Sequence, residues 1–234
     1  MTCVGLIPAR GGSKRIARKN LALCAGKPLL AHTIEAALAS HAIDRTLLST
    51  DDAEILELGR KYGAEAPFLR PAELSAADAP MIGVMRHALD WLRGAGCDVE
   101  AIVLLQPTSP LRTARHIDEA VALFRRHPEA ASVCSVVKPP HIFHPLKILK
   151  PTGDGLAPYI DGDARDPGQL ELPPAYARNG PAVLVTRAQV IDAGEVYGMP
   201  SIPYEMPPDA SIDIDEPYDL QIAEALMLRR NPAG

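Results

Sequence analysis

Cys3-Val4-Gly5-Leu6-Ile7-Pro8-Ala9-Arg10-Gly11-Gly12-Ser13-Lys14-Arg15-Ile16-Ala17-Arg18-Lys19-Asn20 is the stretch around which the 234-residue chain is organised. Its first five residues form an apolar run with the length of a buried strand. The run stops at Pro8 and enters a loop with two adjacent glycines and five cationic residues, Arg10, Lys14, Arg15, Arg18 and Lys19. Adjacent glycines let the backbone approach a ligand closely and aim successive N–H groups at an anion. Long cationic side chains in such a loop neutralise a polyphosphate, Arg as a fork and Lys as a point charge. The formal net charge of the chain is −5, so this positive charge is local. A buried strand running into Gly11-Gly12 favours a nucleoside-triphosphate cradle over a solvated basic loop. The spacing matches neither Gly-x-x-x-x-Gly-Lys-Ser/Thr nor Gly-x-Gly-x-x-Gly.

Working outward, Pro28 opens a helix whose apolar positions Leu29, Leu30, Ile34, Ala37 and Leu38 share one face. Residues 45–49 read as a second strand. It ends in Ser49-Thr50-Asp51-Asp52, where the carboxylates either cap a helix over 53–62 or meet a ligand. Residues 66–69 predict a short third strand, Arg70-Pro71-Ala72-Glu73-Leu74 a loop, and 80–92 an amphipathic helix. Ala101-Ile102-Val103-Leu104-Leu105 is apolar throughout, as in a central parallel strand covered on both faces. It runs into the polar loop Gln106-Pro107-Thr108-Ser109-Pro110-Leu111-Arg112, at the strand end where open α/β sheets bind ligands. A helix over 113–126 and a strand over 131–137 follow. Alternating strands and helices predict an α/β fold with a doubly wound, mostly parallel sheet.

The rhythm breaks over 138–178, a Pro- and Gly-rich stretch with His141, His144 and Lys147 near its start. A segment that long without its own core is either a lid or an arm that packs on another subunit. A strand over 182–185, a short helix over 188–193 and a final helix over 217–229 complete the reading of 1–234 as one domain. Before that last helix, alternation in Ser211-Ile212-Asp213-Ile214-Asp215 puts both carboxylates on one face of an extended segment. A shared divalent cation would relieve their repulsion, and Mg²⁺, which uses few protein carboxylates alongside phosphate oxygens, suits a nucleotide site. The alternative is that Asp215 caps the last helix while Asp213 is solvated.

The bulk numbers exclude other classes. With 47% hydrophobic and 4% aromatic residues the core is mainly aliphatic, and no apolar run is long enough to span a bilayer. The N-terminus lacks a signal-peptide pattern. Cys3, Cys24, Cys97 and Cys134 form no Cys-x-x-Cys pair, which suits a reduced, cytoplasmic protein with buried thiols. Global acidity disfavours nucleic-acid binding. The histidines lack a zinc pattern, and no Gly-x-Ser-x-Gly elbow is present.

Ile7 to Lys14, Arg18-Lys19-Asn20, Leu104 to Arg112 and Asp213-Ile214-Asp215 with Asp219-Leu220 together resemble the acylneuraminate cytidylyltransferases, the CMP-sialic acid synthetases and their nonulosonate relatives. Ser49 to Asp52, Arg70 to Leu74 and His144-Pro145-Leu146-Lys147 follow the same pattern, in the family's order across nearly the whole chain. The resemblance implies a nucleotidyltransferase (nucleotide-diphospho-sugar transferase) fold with a dimerisation arm. It implies a reaction of CTP with a sialic-type sugar acid giving CMP-sugar and pyrophosphate, in surface polysaccharide biosynthesis. By that pattern Arg10, Gly11, Gly12, Ser13, Lys14, Lys19, Asn20 and Arg70 bind the nucleotide, and Gln106, Lys147 and Gln169 meet the sugar and reacting phosphate. Asp213 and Asp215 hold Mg²⁺ and, with Arg10 and Lys19, carry catalysis. The partners implied are CTP, the sugar acid and a second copy of the chain bound through 138–178, without nucleic acid or membrane.

This chain also departs from the pattern. Lys14-Arg15-Ile16-Ala17 stands where the family reads Lys-Gly-x-Pro, and Met81 where sialic-acid members place a small hydroxyl residue. Gln169 occupies the position of an Arg that meets the sugar carboxylate, with Arg165 or Arg178 as substitutes, and Val183 that of an aromatic residue. These changes disfavour N-acetylneuraminic acid as the sugar and leave legionaminic, pseudaminic and related acids open. Two other readings remain, a transferase for a sugar such as a 3-deoxy-octulosonate, which Gly11-Gly12-Ser13-Lys14 disfavours, and a non-catalytic nucleotide-binding homologue.

Overall fold

The computed structural model describes residues 2–76, 78–160 and 172–230. β1 (Thr2–Pro8) leads through the short hairpin β2 (Leu23–Cys24) and β3 (Lys27–Pro28) into α1 (Leu29–Leu38). Then come β4 (Arg45–Ser49), α2 (Ala53–Lys61), α3 (Met81–Gly94), β5 (Val99–Leu104), α4 (Ala114–Arg126) and β6 (Ser132–Val137). The chain leaves the sheet for the hairpin β7 (Leu149–Thr152) and β8 (Gly155–Pro158) and returns as β9 (Ala177–Arg178). β10 (Leu184–Arg187), α5 (Ala188–Ala193), β11 (Ser201–Glu205) and α6 (Pro217–Arg230) close it.

The main sheet has the order β11-β6-β10-β5-β1-β4, with β9 also on β6. β1 runs parallel to β4 and β5, and β6 to β11, whereas β10 is antiparallel to both its neighbours and β9 to β6. Period-2 alternation sends Cys3 and Ile7 of β1 and Ala101 and Val103 of β5 to one face, against Ile34 of α1 and Phe124 of α4. Val4, Leu6, Ile102 and Leu104 go to the other, against Met85, Leu89 and Leu92 of α3. Both strands are apolar because both faces are covered. Local signals set several helix starts. The Asp52 carboxylate accepts the Glu54 and Ile55 N–H groups at the start of α2, and Thr113 and His116 cap α4 reciprocally.

One expectation needs correction, and two features of the sheet add to the reading. Residues 66–69 form no strand, only isolated bridges Leu47–Glu65 and Thr50–Leu69. Pro67 has no N–H to donate, and Phe68 instead packs edge-on to His87 and Trp91 at centroid distances of 4.6 and 5.8 Å. The strand expected over 182–185 is β10, one of the antiparallel members of an otherwise parallel sheet. It is entered from the excursion rather than through a helical crossover, which a parallel neighbour requires. β11 was not foreseen, because Pro203 interrupts its pattern; the strand lies at the sheet edge, where proline is tolerated.

Within 138–178 the described residues hold the β7–β8 hairpin and expose Ile142, Phe143, Leu149, Leu156 and Tyr159. Arg165 and Gln169 lie outside the described residues. A small cluster of Cys24, Leu29, Leu111, Ile214 and Ala223 seats α6 and brings the Asp213–Asp215 segment against the first loop. Among the described residues no helix is long and apolar enough to cross a membrane.

Candidate active site

The loop after β1 is pinned from behind. Asn20 Nδ2 donates to the Arg10 carbonyl at 2.9 Å, and Asp51 Oδ1 accepts the Gly11 N–H at 3.0 Å. A Cβ on Gly11 would lie 2.6 Å from Asp52 Oδ2 and 2.9 Å from Asp52 Cβ, so glycine is required for close packing on the α2 cap. This corrects the expectation that both glycines aim N–H groups at an anion, since the Gly11 N–H is already engaged by Asp51. Arg18 is also withdrawn. It sits at φ 50° and pairs with Asp52 and Glu54, each at 3.0 Å. Asp52 therefore caps, Asp51 braces the loop and stands 3.7 Å from Arg70 Nη2, and neither lines the cleft.

The cleft in front has a volume of about 670 Å³, within the usual range for small-molecule sites. Arg10, Lys14, Arg15, Lys19 and Arg70 supply its cations, Asp213 and Asp215 its carboxylates, and Ser13, Asn20 and Gln106 further polar groups. Leu74, Met81 and Val84 give one apolar wall. Arg10 Nη1 donates to the Ala76 carbonyl at 3.3 Å, and Arg70 Nε to Ser75 Oγ at 3.0 Å. Burial pulls the Arg70 guanidinium below its ordinary value, opposed by the charge of Asp51.

Lys19 bridges the two ends of the chain, donating to the Ile214 carbonyl at 2.6 Å and to Asp215 Oδ1 at 3.4 Å. Arg15 reaches the same carboxylate at 3.3 Å and Glu216 at 3.2 Å. Asp215 is not the cap of α6; the Asp219 carboxylate takes the Asp215 and Glu216 N–H groups instead. Asp213 differs from its neighbour. Its Oδ1 is buried with no well-formed hydrogen bond among the described residues, and burial raises the carboxyl above its ordinary value, opposed by the nearby Thr108 hydroxyl. An open carboxylate oxygen beside a second carboxylate suits a divalent cation shared with phosphate oxygens, with Lys19 and Arg15 competing for Asp215 until phosphates draw them away.

The floor is made by two facing segments. Gln106 Nε2 donates to the Gly180 carbonyl at 2.9 Å. Gly180 has φ 122°, and a Cβ there would sit 2.8 Å from Ser109 Oγ and 3.5 Å from Asp213 Oδ1. Beneath them the buried Arg112 donates through Nη1 to the Gln106 and Ala182 carbonyls, and desolvation pulls it down to about 9.

The fold thus gathers Arg10, Ser13, Lys14, Lys19, Asn20, Arg70, Gln106, Asp213 and Asp215 around one cleft. Gly11 and Gly12 shape its loop without lining it. Lys147 lies on the excursion, with Nζ 3.1 Å from His141 Nδ1, and is absent from the lining. Val183 packs in the core, not toward the cleft, whereas Met81 does line it. Sequence reasoning missed the part of Asp51 in holding Gly11, which has no local signal, and that of Arg112, whose only hint is a charge beside apolar Leu111. It also missed Gly180, which the turn-forming Asn179-Gly180-Pro181 could have flagged.

The sequence model of the family described as "Cytidylyltransferase" matches residues 4–148. The chain is 34% identical over 236 residues to a CMP-N,N'-diacetyllegionaminic acid synthase of Legionella pneumophila, a match covering 97% of both proteins. It is 32% identical over 229 residues to an N-acylneuraminate cytidylyltransferase of Escherichia coli, covering 97% of this chain but 52% of that protein, so it spans about half that relative's length. A solved CMP:2-keto-3-deoxy-manno-octonic acid synthetase, complexed with CTP, superposes with a TM-score of 0.69 over 98% of this chain and 100% of that one. The identity there is 18%, so this likeness speaks to fold alone. The family match takes in the cationic loop, β5 and the floor segment that follows it, and with the near full-length likeness to the Legionella synthase it makes this chain a member of the cytidylyltransferase family.

Proposed function

We propose that this protein activates a nonulosonic, sialic-type sugar acid with CTP, giving the CMP-sugar and pyrophosphate. The observation that carries the reading is a single cleft joining the first-loop cations Arg10, Lys14 and Lys19 to the Asp213–Asp215 pair. Phosphoryl transfer asks a protein mainly for positioning and charge neutralisation, and the cleft supplies both. Arg10, Ser13, Lys14 and Lys19 take the triphosphate, Asn20 holds the loop that presents them, and Arg70 lies on the base side. Gln106 faces the sugar. The sugar's C2 hydroxyl oxygen attacks the α-phosphorus, the bond to the β-phosphate breaks, and pyrophosphate leaves against the loop cations. The hydroxyl proton passes to solvent water, its loss assisted by the Asp213 and Asp215 carboxylates.

Asp213 and Asp215 would hold Mg²⁺: Asp213 Oδ1 makes no well-formed hydrogen bond among the described residues, and Asp215 would exchange its contacts with Lys19 and Arg15 for the ion. Bound there with phosphate oxygens, the ion would neutralise charge on the reacting phosphates.

We read 1–234 as one domain with 138–178 as an arm that packs on a second copy. Supporting this are the exposed Ile142, Phe143, Leu149, Leu156 and Tyr159, and the position of Lys147 outside its own chain's cleft lining. Lys147 and Gln169 would then contribute to the sugar pocket through the assembly. The chemistry needs a supply of CTP, which makes the cytoplasm the fitting compartment.

The test is pyrophosphate release from CTP and Mg²⁺ with N-acetylneuraminic, legionaminic and pseudaminic acids in turn, using ATP, GTP and UTP as controls. Release that depends on CTP and on one of the acids is expected. Silence with every acid, or equal rates with other nucleotides, would refute the reading.

A further inference from the structure

Arg112 does not line the cleft, yet it is an unusual residue. Its guanidinium is buried, and among the described residues Nε has no hydrogen-bond partner and no carboxylate pairs with the side chain. Nη1 donates to the main-chain carbonyls of Gln106 at 3.1 Å and Ala182 at 2.6 Å, and Nη2 to Thr33 Oγ1 of α1 at 2.6 Å. The Gln106 side chain spans the same gap on the cleft side, through its bond to the Gly180 carbonyl. The segment after β5 and the segment before β10 are therefore tied twice, by Gln106 at the cleft surface and by Arg112 beneath it.

A buried charge without a counter-ion is costly, and apolar residues of similar volume often replace such groups without loss of stability. Core filling alone does not account for an arginine here. What the guanidinium does, and an apolar side chain would not, is hold two carbonyls and a hydroxyl from three elements in one plane. One of those carbonyls belongs to Gln106, so the plane sets where the Gln106 amide starts.

We propose that Arg112 is a positioning residue for the transfer, fixing the Gln106 side chain at the cleft floor by clamping the Gln106 and Ala182 carbonyls. The inference rests on the reading of Gln106 as the sugar-facing group. It separates the two ends of the cleft, since the nucleotide side is built from the first loop and Arg70, which Arg112 does not touch.

Arg112→Lys, Gln106→Ala and the double variant are compared in the full chain. The readouts are pyrophosphate release with the active sugar acid, CTP affinity by calorimetry, and the thermal midpoint. Arg112→Lys keeps the charge and loses the fork. It is expected to lower kcat/KM for the sugar acid about 100-fold, the scale of a misplacement near 1 Å, with CTP affinity within about threefold of the parent. Added to Gln106→Ala, it should cost little more, because both changes remove the same positioning. Multiplying losses in the double variant, or CTP affinity falling in step with sugar turnover, would overturn the inference and leave Arg112 a structural residue. Full turnover in Gln106→Ala would refute the sugar-facing reading, and this inference with it. Thr33→Val frees only Nη2 and serves if Arg112→Lys does not fold; a smaller loss, again absent on the Gln106→Ala background, is then expected, and an additive one overturns the proposal.

Discussion

Replacing Asp213 by Asn should move stability and activity in opposite directions. In the metal-free protein burial disfavours the charged carboxylate, the Thr108 hydroxyl only partly offsets this, and Asp215 is a like-charged neighbour; Oδ1 makes no well-formed hydrogen bond among the described residues. An unsatisfied buried polar group costs about 1–3 kcal/mol, and an amide removes the charged part of that cost. The variant should therefore be more stable in EDTA at pH 7 by about 1 kcal/mol, or about 2–4 °C in thermal midpoint for a chain of this size. With Mg²⁺ and CTP the order should reverse. A ligand at 100 times its Kd stabilises the parent by about 2.7 kcal/mol, and a site lacking one of its two carboxylates gains less. Sugar-dependent pyrophosphate release should fall at least about 100-fold, equivalent to some 2.7 kcal/mol of transition-state stabilisation. Scanning fluorimetry with and without Mg²⁺, beside the release assay, reads all three quantities. A variant less stable than the parent in EDTA would show that the native carboxylate is satisfied. Equal Mg²⁺ stabilisation of both proteins would remove Asp213 from the metal site.

Gly11→Ala puts a methyl group 2.6 Å from Asp52 Oδ2, so the first loop must shift. Calorimetry should find CTP binding at least about tenfold weaker, in line with about 1–3 kcal/mol of overpacking, and unchanged affinity would separate loop geometry from nucleotide binding. The Tyr204 hydroxyl donates to Glu119 and, followed by Arg115, holds that carboxyl below its ordinary value. A depressed carboxyl contributes stability above its unfolded pKa that is lost as pH falls through the folded value. Tyr204→Phe should thus cost about 0.5–1 kcal/mol at pH 7 after discounting for exposure, with the gap closing below about pH 4; a pH-independent gap would refute the cause. Phe143→Glu on the exposed arm should leave the thermal midpoint of the monomeric fold nearly unchanged while sedimentation shows the dimer lost, and a parent that sediments as a monomer would refute the arm as an interface.

Much of the site was legible because its signals are local. The cations of the first loop, the polar run after β5 and the alternating Asp213 and Asp215 declare themselves by composition and spacing. Direction was not legible. Arg18 turns away to Asp52 and Glu54, and the Gly11 N–H goes to Asp51, because each partner lies some 30–40 residues along the chain and arrives only when β1 and β4 pair.

The same division runs through the fold. Buried apolar runs and capping residues determined by themselves the existence of β1 and β5 and the extents of α2 and α5, since both depend on neighbours within a few positions. Tertiary structure alone decided that β10 runs antiparallel between β5 and β6, that Pro203 lies on an edge strand, and that Arg112 spends its hydrogen bonds on Gln106, Ala182 and Thr33. Strand direction follows from how the chain re-enters the sheet, and a buried polar group takes whichever partners packing brings within about 3 Å, the reach of a hydrogen bond.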